Sequence, residues 1–211
     1  MTKHADLLLA LLAVALFIPL FIFRAVGPLD FWWWMSVNIG VLLGLALILD
    51  RDFGSRILSD VRSGPARKAA LGIVSALLLY GVFFLGNWAA LRIFSFAHSD
   101  ISKIYNFKQG ASVLRISALF VFILGPGEEL FWRGFLQRRL QDRLGLKLGF
   151  LVAAGLYTLV HLGSGNPALI AAAAVCGLIW GGLYIRYRSL LLIAVSHTVW
   201  DLLVFVFFPF S

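Results

Sequence analysis

Six ionisable side chains interrupt otherwise apolar stretches of this sequence: Glu128, Glu129, Arg133, His161, His197 and Asp201. Such groups are costly inside a bilayer unless paired or hydrated, so they mark function by default. Helical geometry sorts them. At about 100° per residue, Arg133 lies about 40° from Glu129 around a helix but about 140° from Glu128. Glu129 and Arg133 are therefore expected to form an i,i+4 ion pair that braces the helix. Glu128 faces elsewhere, with no local cation. His197 and Asp201 are also spaced i,i+4, and Tyr157 stands one turn before His161.

Two histidines, a free glutamate and an aspartate on converging helices form a hydrolytic set. A glutamate in a low-dielectric site can act as general base towards water. One histidine can hold that water, while the other, with an acid or amide, stabilises an oxyanion. The same four residues, Glu128, His161, His197 and Asp201, could instead hold a divalent metal such as Zn²⁺. Taken singly, a membrane histidine is as readily a hydrogen-bonded packing residue. All six groups in the second half of the chain make a purely structural role the weaker explanation. Cys176, the single cysteine, reads as a small buried hydrophobe, and its solitude excludes an intrachain disulfide.

The elements that must carry these residues are membrane spans. Of 211 residues, 61% are hydrophobic and 13% are charged, against about 25% charged in a soluble domain. A water-soluble globule could not hide that apolar surface. Uncharged runs cover 7–23, 31–49 and 69–91, and a further run begins at 189 and continues past Asp201. A span near 113–137 is interrupted by the two glutamates. The stretch from Leu148 to Ile185 is long enough for two crossings, with GSGNP at 163–167 as the break. These make seven spans in an all-α bundle, a single membrane domain over 1–211. Residues 1–112 supply three N-terminal spans and 113–211 the catalytic ones. No cleavage site follows the first run, so it reads as an uncleaved span.

The net charge of +8 fits orientation in a membrane better than nucleic-acid binding. With a cytoplasmic N-terminus, twelve Lys and Arg fall in cytoplasmic segments (Lys3, 51–68, 138–147, Arg186 and Arg188) and five outside, as the positive-inside rule requires. Residues 95–112 and Ser211 are then expected outside. The chain reads as an integral protein of a prokaryotic plasma membrane.

The motifs have a family resemblance. Gly127-Glu128-Glu129-Leu-Phe-Trp-Arg133 resembles the EExxxR motif of the CPBP family (CAAX protease and bacteriocin-processing, or Abi) of intramembrane endopeptidases. Tyr157-x3-His161 is similar to that family's FxxxH motif, and His197-x3-Asp201 to its HxxxN/D motif. The resemblance covers about 113–204; residues 1–112 match only as generic spans. It implies a glutamate-dependent peptidase in which Glu128 activates water, His161 helps to hold it, and His197 with Asp201 stabilises the oxyanion. Glu129, Arg133 and Tyr157 would support them. No cofactor is required if Asp201 keeps its proton and donates a hydrogen bond. If Asp201 is ionised, Zn²⁺ would serve in its place.

Cleavage is expected near the cytoplasmic side, on a peptide or membrane-protein substrate that is lipidated, carries a leader or bears a C-terminal sorting tag. HExxH and GxGD are absent, and Leu162-Gly-Ser164-Gly lacks the rhomboid glycine, which disfavours a Ser164–His197 dyad. Two other classes stay open: a proton- or ion-coupled transporter that uses the same acids and histidines as a relay, and a non-catalytic bacteriocin-immunity-type protein that acts by binding and does not need Glu128.

Overall fold

The computed structural model describes residues 3–210, with side chains from Ala5 onward. The expected placements of Ser211 and of the Lys3 side chain lie outside the described residues. The helices are α1 (Lys3–Phe23), α2 (Phe31–Leu49), α3 (Phe53–Arg62), α4 (Pro65–Ile93), α5 (Ala97–Tyr105), α6 (Val113–Leu144), α7 (Leu146–His161), α8 (Pro167–Tyr187) and α9 (Leu190–Phe207). A two-residue antiparallel hairpin pairs Ala25–Val26 with Leu29–Asp30 between α1 and α2.

Six helices, α1, α2, α4, α7, α8 and α9, are long and apolar enough to cross a membrane. A seventh crossing comes from Ala97–Lys108 together with Val113–Leu144, a pair bent by 90°. The all-α bundle of about seven spans is thus the observed architecture. The outward faces are apolar: Leu78 is 68% exposed and Leu85 65% exposed on α4, which suits contact with lipid and not with water.

Local chemistry sets the helix starts. The side chains of Asp30, Ser112, Asn166 and Ser189 accept from the N–H of Trp33, Arg115, Leu169 and Leu192, each three residues on. Pro65 and Pro167 occupy first turns, where a missing N–H costs nothing. Gly145, at φ 81°, is the whole joint between α6 and α7; a left-handed residue there favours glycine.

Two features depart from the sequence expectation. The fourth span runs to Leu144 instead of ending near 137, because its charged last turns project beyond the apolar zone and find acidic partners. The inter-span segments are also not plain loops. Residues 53–62 form an amphipathic helix that buries Phe53, and residues 97–105 form α5.

Alternation of the spans gathers the connections at two ends. At one end Asp50 accepts from Arg56 (2.7 Å) and faces Arg138 and Arg139, and Asp6 pairs with Arg143 (2.6 Å). Asp60 accepts from Lys68 and from the N–H of Leu191. At the other end Arg115 pairs with Asp30, Trp32 Nε1 donates to the Phe107 carbonyl, and Asn166 donates to that of Asp100. The segments grouped by charge in the sequence, 51–68, 138–147 and 186–188, therefore share one end.

Burial raises the Asp50 carboxyl, but the Arg56 hydrogen bond and the charges of Arg56, Arg139 and Arg138 outweigh it and hold the group below its ordinary value of 3.8. Its stabilising contribution is complete above the unfolded value and vanishes as pH falls through the folded one. Asp50→Asn should therefore lower the thermal midpoint in detergent by a few degrees at pH 7, with the gap to the parent closing as pH falls through the lowered folded value. A gap that stays constant with pH would contradict this coupling.

Candidate active site

The glutamate pair lies at the middle of α6, where Gly125–Glu129 is flanked by wide π-helical turns at Phe120–Leu124 and Leu130–Gln137. Pro126, which has no N–H to give, sits at this joint, and such widened turns are common at functional sites. Gly125 lets α6 approach α9 closely: a Cβ there would overlap the Thr198 hydroxyl and the Phe120 carbonyl. That contact sets the register that brings the glutamates opposite His197.

Glu129 is fully buried. Its Oε1 accepts from Arg133 Nη1 at 2.8 Å and from His197 Nδ1 at 2.7 Å. The expected Glu129–Arg133 pair is present, but Glu129 also fixes His197, which the helical-wheel argument did not foresee. Arg133 lies over the Tyr157 ring at 4.4 Å. Glu128, 4% exposed, makes no ion pair within the described residues; its Oε2 accepts from the Tyr157 hydroxyl at 3.1 Å.

His161 ends α7. Its Nδ1 lies 2.7 Å from the Tyr157 carbonyl. A carbonyl can only accept, so Nδ1 carries the proton and Nε2 is left as an acceptor. His197 stacks on Trp180 with ring centroids 3.8 Å apart, and its Nε2 faces Asp201 Oδ2 at 3.5 Å. Trp180 is in turn held by donation to Ser196 Oγ, which bonds Ser75 Oγ on α4. Sequence reasoning missed Trp180; a tryptophan beside Gly181 in a span gives no signal of which neighbour it will face.

Glu128, Tyr157, His161, His197 and Asp201 all line one chamber of about 360 Å³ whose other walls are almost wholly apolar. The candidate residues of three different helices are thus brought together. Ser164 is not among them: it donates to the His161 carbonyl and accepts from the Asn166 N–H, a turn-forming role. Among the described residues no group of three or more His, Cys, Asp and Glu side chains has the arrangement of a metal site. Each histidine has its Nδ1 engaged, His161 by the Tyr157 carbonyl and His197 by Glu129, which leaves the Nε2 atoms as the nitrogens free to act in the chamber.

The chamber lies towards one end of the bundle. Its lining comes from the end of the bundle opposite the arginine-rich segments, as Phe31, Ile101, Tyr105, Leu169 and Phe210 show. His161 lies at the far end of α7, about 22 Å from its basic-end start at 1.5 Å per residue.

Fold and chamber define a polytopic membrane protein with a glutamate–histidine site inside the bundle. Residues 110–203 match the family model described as type II CAAX prenyl endopeptidase Rce1-like, which bears out the resemblance drawn from the three motifs. All three motifs fall within the matched segment. No curated protein and no solved structure matches the chain.

Proposed function

We propose that this chain is a CAAX-type intramembrane endopeptidase in which Glu128 activates the attacking water. The observation that carries this reading is the convergence of Glu128, His161, His197 and Asp201 on one chamber, inside the segment matched by the endopeptidase family. Glu128 has no cation of its own and one hydrogen bond from Tyr157, so its carboxylate is free to take a proton. The free Nε2 of His161 accepts the other hydrogen of the same water and orients it.

The water oxygen then attacks the scissile carbonyl carbon as its proton passes to Glu128. The resulting oxyanion is met on the His197–Asp201 side, where Asp201, carrying a proton, donates to it. Glu128 delivers its proton to the departing nitrogen, the oxyanion re-forms a carbonyl as the C–N bond breaks, and the resulting carboxylic acid gives its remaining proton to the amine, so that a carboxylate and an ammonium leave. The pair Glu129–Arg133 acts through His197, whose ring it holds in place.

A non-metal mechanism makes a specific demand on Asp201. Asp201→Asn retains a donor and should keep at least about a tenth of the parent's cleavage, and a zinc chelator should leave both unaffected. Processed peptide termini counted by mass spectrometry provide the readout. Complete loss in Asp201→Asn, with chelator inhibition reversed by zinc, would establish a metalloprotease instead.

A further inference from the structure

The chamber has a direction. Its wall is built from the last turn of α1, the first turns of α2, residues 82–90 of α4, α5, Phe120 and Glu128 of α6, Tyr157 and His161 at the end of α7, residues 168–180 of α8 and residues 197–205 of α9; nothing from residues 36–81 or 130–156 lines it. The end of the bundle away from it carries eleven Lys and Arg, in 51–68, 138–147 and 186–188, whereas the end it approaches carries five. Excess Lys and Arg in short connections stay cytoplasmic.

The chamber is also covered and sided. α5 is tied across its end: Asn166 Nδ2 donates to the Asp100 carbonyl at 2.7 Å, and Tyr105 Oη accepts from the Phe210 N–H at 2.7 Å. α4 packs on α9, and α8 on α7, so α4 and α8 make little contact with each other although both line the chamber. Small residues line the chamber on both of these helices, Gly86 and Ala90 from α4 and Ala168, Ala171 and Ala172 from α8. Two buried polar atoms on the chamber wall have no partner among the described residues: Asn87 Oδ1, an acceptor, and Trp200 Nε1, a donor. One of each is what an extended peptide backbone could satisfy.

We propose that substrate enters from the extracytoplasmic side, through the gap between α4 and α8, as an extended apolar segment of a protein already translocated across the membrane. The nature of the substrate rests on the endopeptidase reading; the direction of the chamber does not. On this proposal a cytoplasmic lipidated C-terminus is not the substrate, and cleaved termini belong to exported or outward-facing proteins.

The test places single cysteines in a Cys176→Ala background, in intact bacterial cells, using a membrane-impermeant thiosulfonate reagent. Ile101→Cys lies on α5, Gly86→Cys lines the gap at a position where a Cβ meets nothing within 4 Å, and Ser63→Cys marks the arginine-rich end. We expect Ile101→Cys and Gly86→Cys to label before permeabilisation, and Ser63→Cys only after it, with at least a tenfold change in each case. The reverse pattern would overturn the proposal. Labelling at Ile101→Cys but not at Gly86→Cys from either side would overturn the entrance between α4 and α8. Ala90→Cys substitutes if Gly86→Cys does not fold. Because labelling requires no cleavage, a failed orientation and a failed endopeptidase reading are separable outcomes.

Discussion

Glu128→Gln is expected to reduce cleavage by about 10³-fold, within the range of about 10²–10⁴ that a general base contributes. The amide keeps the shape of the carboxylate and can still accept the Tyr157 hydroxyl, which in the structure meets Glu128 Oε2 at 3.1 Å. What it loses is the ability to take a proton from water. Since Glu128 has no ion-pair partner among the described residues, the variant should elute and melt in detergent like the parent. A Glu128→Gln protein that folds and cleaves at the parental rate would remove the residue from the base role.

Glu129→Gln should act on the fold instead. One oxygen of Glu129 accepts from both Arg133 and His197, and all three side chains are buried. Neutralising the carboxylate leaves the Arg133 guanidinium without a counter-ion in an apolar interior, a change that costs about 3–5 kcal/mol in buried pairs. The expected readout is a drop in thermal midpoint and in yield of monodisperse protein, with activity falling because His197 loses its anchor. If Glu129→Gln were stable while Glu128→Gln unfolded, the two roles would be exchanged.

The contrast between the two glutamates was legible in the sequence because it follows from position around a single helix. Arg133 at i+4 selects Glu129, and the structure shows that pair at 2.8 Å. The seven crossings were legible as well, from run length and punctuation, and so was the division of the connections between two ends. What single-helix reasoning could not give was the register between helices. That His197 would meet Glu129 depends on how closely α6 approaches α9 at Gly125 and Thr198, a contact between residues 73 positions apart.

Two further features escaped for the same reason. α5 is a nine-residue helix, too short to be marked by hydrophobic period alone, and it is held by the non-local bonds of Asn166 and Tyr105. The direction of the chamber escaped because it depends on which helix ends pack around Glu128 and not on position along any one span. Glu128 is central in α6, but the lining that surrounds it comes from the end away from Arg138 and Arg139. Charge alone orients the helices; only their packing shows which way the space between them opens.

The most direct measurement is mass spectrometry of peptide termini in membrane fractions from cells carrying the parent chain or a Glu128→Ala copy at matched abundance. If the chamber hydrolyses peptide bonds, a defined set of internal termini will be present with the parent and lost with Glu128→Ala. Identical termini in the two samples, with both proteins folded and in the membrane, would contradict a peptidase and leave the chamber to transport or binding.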